Sequence, residues 1–141
     1  RLNKDPKRIY CLMGDGELDE GQVWEAALTS AHYKLDSVCG IIDYNKFQID
    51  GRVEDVKGLE PLKEKWQAFG WEVFEIDGHN IKEVMDAYDK AEKIKGKPSM
   101  VLAHTVKGKG VSFFENKNKY HGLAPNNEEL EKAIKELETE R

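Results

Sequence analysis

The chain has 141 residues, of which 39% are hydrophobic and 35% charged, with 22 Lys and Arg against 27 Asp and Glu and a formal net charge of −5. This acidic balance argues against a general nucleic-acid binder, which shows a basic excess or stripe. The longest apolar runs, around Ile9–Met13 and Val38–Ile42, fall far short of the roughly 18 residues a spanning helix needs, so no membrane partner is expected. One domain fits the length.

In chain order, Arg8 to Met13 reads as a buried strand broken by Gly14-Asp15-Gly16. From Glu20 to Leu35, small and apolar residues recur with helical spacing, and the acids Glu17, Asp19 and Glu20 gather at the positive end of the helix dipole. Ser37 to Asp43 is a second buried strand, followed by Tyr44-Asn45-Lys46 and a short extended piece, Phe47 to Asp50, closed by Gly51. A charged loop leads to Pro61, suited to the first turn of a helix carrying Leu62, Trp66 and Phe69. Trp71 to Ile76 alternates like a strand. Asp77-Gly78-His79-Asn80 is a turn that caps a helix over Ile81–Lys95, Pro98 to Val106 is a fourth strand, and Lys107–Pro125 is a loop. Asn127 is expected to cap a last charged helix reaching about Glu138.

Strand and helix in repeated alternation predict an α/β fold, a parallel sheet with helices on both faces, and place ligands beyond the carboxyl ends of the strands. Cys11 and Cys39 are too few for a disulfide framework and read as reduced core thiols of a cytosolic, cytoplasmic protein.

Gly14-Asp15-Gly16 stands where a strand hands over to a helix, and glycines there let an anion approach backbone N–H groups. An ordinary turn uses the same residues. Asp43-Tyr44-Asn45 closes the second strand about thirty residues later. If the two strands are neighbours, a carboxylate and a carboxamide oxygen meet at one sheet edge. Hard oxygen donors suit Mg²⁺ or Ca²⁺, and a diphosphate would supply further oxygens.

Gly-Asp-Gly followed by about thirty residues and an Asn is the signature of thiamine diphosphate enzymes. The longer strings GDGELDEGQVWEA, DYNKFQIDG, VKGKGVSFFENK and YHGLAPN closely resemble the N-terminal subunit of split bacterial-type transketolases, over nearly the whole chain. The resemblance implies a three-layer thiamine diphosphate-binding fold, with residues 1–141 as the C-terminal part of the pyrophosphate-binding domain and the abrupt start at Arg1 as a truncation. It also implies a set of site residues. Asp15, Asn45 and the backbone carbonyl of Phe47 would ligate Mg²⁺, and Gly14 and Gly16 would cradle the diphosphate. Lys107 would lie near the cofactor, although a lysine in such a loop is commonly just solvated. His121 would hydrogen-bond the sugar donor and move protons, a task suited to an imidazole's unperturbed pKa of about 6.5. Glu20 and Glu25 match carboxylates that form a relay at a subunit interface; read physically, they equally serve the helix dipole. At i and i+5 they do not face each other within one helix, so their coupling would need a second copy. His32, His79 and His104 read as structural.

The implied reaction moves a two-carbon ketol unit from a ketose phosphate to an aldose phosphate. The implied partners are a pyrimidine-binding transketolase subunit, sugar phosphates and further copies of this chain in a homo-oligomer or dimer. The alternatives are another thiamine diphosphate enzyme, such as 1-deoxyxylulose-5-phosphate synthase or a pyruvate dehydrogenase E1 component, and a non-catalytic α/β binding module.

Overall fold

The structure, a computed structural model, describes residues 7–139. Strand β1 (Ile9–Gly14) runs through a 3₁₀ turn (Asp15–Asp19) into helix α1 (Gly21–His32), and β2 (Val38–Tyr44) follows. A small antiparallel hairpin of β3 (Phe47–Gln48) and β4 (Gly51–Arg52) leads into α2 (Val53–Val56) and α3 (Leu62–Ala68). Next come β5 (Glu72–Asp77), α4 (Ile81–Lys93) and β6 (Ser99–His104). A second 3₁₀ turn (Asn118–His121) precedes α5 (Asn127–Thr139).

The four long strands form one parallel sheet in the order β1-β2-β6-β5. Alternate residues of each strand serve opposite layers. Ile42, Met100 and Leu102 pack with Ala27 of α1 and with Leu62 and Trp66 of α3, whereas Cys39, Ile41 and Val101 pack with Ala87 and Ala91 of α4. The result is the predicted α/β arrangement in three layers. On the first face Phe69, Trp24, Trp66 and Trp71 follow one another in ring contact, with centroids 5.0–5.4 Å apart and the last pair edge-on, a geometry that adds to simple area burial. The indole N–H groups of Trp24 and Trp71 donate to the carbonyls of Leu18 and Ala27.

Several sequence expectations change in detail. Helix α1 stops at His32 rather than Leu35 because Lys34 turns left-handed, with φ 51°, and the Leu35 N–H bonds back to the Ser30 carbonyl. Glu17 and Asp19 belong to the 3₁₀ turn and not to the helix start. The charged loop before Pro61 contains the helical turn α2. Asn80 caps α4 as expected, accepting from the N–H groups of Lys82 and Glu83. The cap of α5 is Asn126, one residue before the expected Asn127: its side chain accepts the Glu129 N–H, and Glu129 returns the bond to the Asn126 N–H, a reciprocal capping box. Cys39 is buried but Cys11 is exposed, because β1 is the sheet's edge among the described residues.

Among the described residues no helix is long and apolar enough to cross a membrane.

Candidate functional site

Strands β1 and β2 are neighbours in parallel register, with Gly14 opposite Asp43. Gly14-Asp15-Gly16 and Asp43-Tyr44-Asn45 therefore leave the same edge of the sheet side by side, as the sequence condition required. A cleft of about 340 Å³ opens there, lined by Gly14, Asp15, Gly16, Glu20, Asn45, Phe47 and His121, and also by Glu17, Gln48 and Ile49.

Asp15 ties its two walls together. It is 1% exposed; its Oδ1 accepts the Gly16 N–H at 2.9 Å, and its Oδ2 accepts the Lys46 N–H at 2.6 Å. Burial is the largest influence on its carboxyl and pushes the pKa above the ordinary value of 3.8. The two backbone donors oppose that shift, and the nearby Asp43 charge adds to it. A carboxylate can accept about four hydrogen bonds or ligand contacts, so two N–H partners leave capacity for a cation. Burial without a neutralising charge costs free energy, which a divalent ion would offset. Asn45 holds its own loop by accepting the Phe47 N–H at 3.0 Å, and Lys46 between them takes φ 71°, which turns the chain back across the cleft floor. The Lys46 carbonyl then accepts the Val53 N–H at 2.9 Å.

Gly16 is fixed by space. A Cβ there would lie 2.8 Å from the Gln48 Cβ, so only glycine lets the β3–β4 hairpin close over the Asp15 turn. Gln48 reinforces the closure by donating to Asp19 at 3.2 Å. At the mouth of β1 the Glu17 carboxylate accepts the Gly14 N–H at 2.6 Å.

The far wall comes from the loop after β6. Gly108, at φ 75°, sits so close to the Phe114 carbonyl that a Cβ would meet its oxygen at 2.7 Å. The Lys107 carbonyl accepts the Asn116 N–H at 2.9 Å, so the loop folds onto itself. Asn118 donates to the Ile49 carbonyl at 2.9 Å, joining this loop to the hairpin. These links set His121 at the cleft, with its Nδ1 3.2 Å from the Lys107 Nζ. Tyr120 and Lys119 both bond Glu129 at the start of α5.

Of the residues expected at the site, Gly14, Asp15, Gly16, Glu20, Asn45, Phe47 and His121 share one cleft. Lys107 reaches it through His121. Glu25 does not join them: it lies exposed on α1, where its carbonyl accepts the Thr29 hydroxyl. Sequence reasoning gave no individual site role to Glu17, Gln48 or Ile49, although all three lie in segments that follow the carboxyl ends of β1 and β2. Gln48 and Ile49 stand within DYNKFQIDG, and their neighbourhood to Asn45 was the available signal. His104 is engaged with Glu75 at 2.7 Å, as its structural reading expected.

The residues fit a diphosphate held through a divalent cation: a buried carboxylate with spare lone pairs, a carboxamide oxygen beside it, and a turn in which Gly16 has no room for a Cβ. Among the described residues no group of three or more His, Cys, Asp or Glu gathers as a metal cluster. Any cation here would draw part of its shell from amide, carbonyl and ligand oxygens, the donor set that hard cations accept.

Comparison with known proteins places this architecture. The family model for the transketolase thiamine diphosphate binding domain matches residues 3–140. The chain is 49% identical to the 6-deoxy-6-sulfo-D-fructose transketolase subunit SqwG of Clostridium sp. (strain MSTE9), over 96% of this chain and 49% of that protein. It is 46% identical to a subunit of the apulose-4-phosphate transketolase of Actinobacillus succinogenes, over 95% of this chain and 48% of that protein. Among solved structures, transketolase from Campylobacter jejuni superposes with a TM-score of 0.87 at 36% identity, covering 94% of this chain and 21% of that one. The chain belongs to the transketolase N-terminal, thiamine diphosphate binding family. It spans about half the length of the curated relatives it matches.

Proposed function

We propose that the cleft binds the diphosphate of thiamine diphosphate through Mg²⁺, and that the chain works as part of a transketolase transferring a two-carbon ketol unit between sugar phosphates. The observation that carries this reading is the convergence of buried Asp15, Asn45 and the glycine turn in one cleft with His121. Asp15, the Asn45 carboxamide and the Phe47 carbonyl would hold the cation, the Gly16 N–H would meet the diphosphate, and Lys107 would stand near its charge. When bound, the cofactor supplies the carbon nucleophile that the protein's own side chains lack. His121 would bind a substrate hydroxyl and carry a proton to or from it. Glu20 stands at the rim of the cleft, and Glu25, exposed on α1, would meet a second copy of the chain in a homo-oligomer. The remaining half of the pocket would come from a pyrimidine-binding partner chain. Two curated relatives are named as subunits of transketolases, which supports a divided enzyme.

The test combines this protein with such a partner. Calorimetric titration with thiamine diphosphate and Mg²⁺ should give saturable binding, weakened at least about tenfold in Asn45→Leu, equivalent to about 1.4 kcal/mol. Unchanged affinity in that variant would overturn the cation site. With binding intact, ketol transfer from a ketose phosphate to an aldose phosphate is expected. Pyruvate-dependent CO₂ release in its place would overturn the transketolase reading in favour of a pyruvate-processing relative. Failure to bind cofactor at all, in a folded complex, would favour a non-catalytic module.

A further inference from the structure

Two histidines stand at the carboxyl end of the sheet, and each is addressed by a donor from one of two consecutive residues leaving β6. The Val106 backbone N–H donates to His79 Nε2 at 2.8 Å. The Lys107 ammonium lies 3.2 Å from His121 Nδ1. A backbone N–H and a charged lysine can only donate, and a neutral imidazole has one nitrogen that donates and one that accepts. The accepting nitrogen is therefore fixed in each ring, and it differs between the two.

We infer that the segment Val106–Lys107 sets opposite tautomers in these rings: His79 carries its proton on Nδ1, and His121 carries its proton on Nε2. Lys107 is thus a positioning residue for His121. It occupies Nδ1 and leaves Nε2–H as the hydrogen-bond donor that this histidine presents at the cleft it lines. This deepens the reading of His121 as a group that binds and protonates substrate, and rests on it for its functional meaning. The geometry behind the tautomer does not depend on any ligand.

The arrangement is held from several sides. Lys107 is braced by the Asn116 N–H on its carbonyl, and the His121 turn is pinned by Asn118 to Ile49 and by Tyr120 to Glu129. His79 follows Gly78, whose N–H donates to the His104 carbonyl at 2.8 Å, and the His79 N–H donates to Asp77. Both imidazoles therefore project from segments that are themselves bonded, which keeps each ring nitrogen facing its donor; the hydrogen bond at one nitrogen then sets the proton on the other. Among the described residues, no second side chain offers His121 Nδ1 a competing acceptor, which would call for the other tautomer.

The experiment is long-range ¹H–¹⁵N correlation of the imidazole nitrogens in the full chain, at a pH where the rings are neutral. His121→Gln and His79→Gln assign two of the four histidines by loss of their signals. The expected result is a protonated Nε2 with a bare Nδ1 for His121, and the reverse for His79. In Lys107→Glu the partner becomes an acceptor, so His121 should reverse to Nδ1–H while His79 does not move. In Lys107→Met His121 should show both tautomers in exchange. A protonated Nδ1 on His121 in the unsubstituted protein, a protonated Nε2 on His79, or a His121 pattern unmoved by Lys107→Glu with amide spectra intact would each overturn the inference. The measurement uses no cofactor. Loss of cofactor binding with the tautomers as stated would sink the proposed function and leave this assignment standing.

Discussion

Strands β1 and β6 look alike as sequence, Ile-Tyr-Cys-Leu-Met-Gly against Ser-Met-Val-Leu-Ala-His, yet the structure treats them in opposite ways. β6 runs between β2 and β5 and is buried along nearly its whole length. Among the described residues β1 borders β2 alone, and Ile9, Tyr10 and Leu12 stay exposed. Apolar composition states what a strand can bury, and only its place in the sheet decides what it does bury. The contrast sharpens at the end of β1: within three residues exposure falls from 71% at Leu12 to 1% at Asp15. The polar residue just past this strand is therefore better enclosed than the strand's apolar body, an inversion of the usual burial order.

The most direct way to break this comparison is the same truncation in both strands. Leu102→Ala, at a site 2% exposed, should cost about 2–5 kcal/mol in urea unfolding. Leu12→Ala should change stability by no more than about 0.5 kcal/mol; equal losses would show that β1 is covered in solution. Next in size, Gly16→Ala should cost about 1–3 kcal/mol, because its methyl meets Gln48, and should weaken diphosphate binding measured by calorimetry. Asn118→Ala removes the bond to Ile49 and should cost about 0.5–1.5 kcal/mol, loosening the His121 turn as seen by amide hydrogen exchange.

The smallest effect is in pH dependence and belongs to the top of β5. Hydrogen bonds from His104 and then Lys63 hold the Glu75 carboxyl below its ordinary 4.5. A lowered carboxylate value adds stability that is present above the unfolded pKa and lost as pH falls through the folded one. Glu75→Gln should therefore shrink the stability difference between about pH 7 and about pH 3. With the pair largely solvated, the change should stay below about 0.5 kcal/mol.

The sequence made the site legible through topology. The sequence left open whether the strands over Arg8–Met13 and Ser37–Asp43 are neighbours; with that condition met, Asp15 and Asn45 had to converge, since both leave carboxyl ends of one sheet. Periodicity also located α4 and its Asn80 cap. The sheet order, with β6 between β2 and β5, was beyond it, because parallel connections carry no pairing signal between strands distant in sequence. For the same reason Cys11 looked like a core thiol. The meeting of Lys107 with His121 was hidden by the loop between them, whose fold depends on a left-handed Gly108 against Phe114 and not on any repeating pattern.

Glu129 serves two masters at once. It completes the first turn of α5 with Asn126 and at the same time grips Lys119 and Tyr120, the residues just before His121. Fraying of that helix end therefore loosens one anchor of the His121 turn and leaves the other, Asn118 on Ile49, in place, and the two segments should show correlated amide exchange. Helix α5, absent from the lining of the cleft, thereby reports on it: loss of its first turn should reach the residues before His121 as faster amide exchange while the central strands keep their protection.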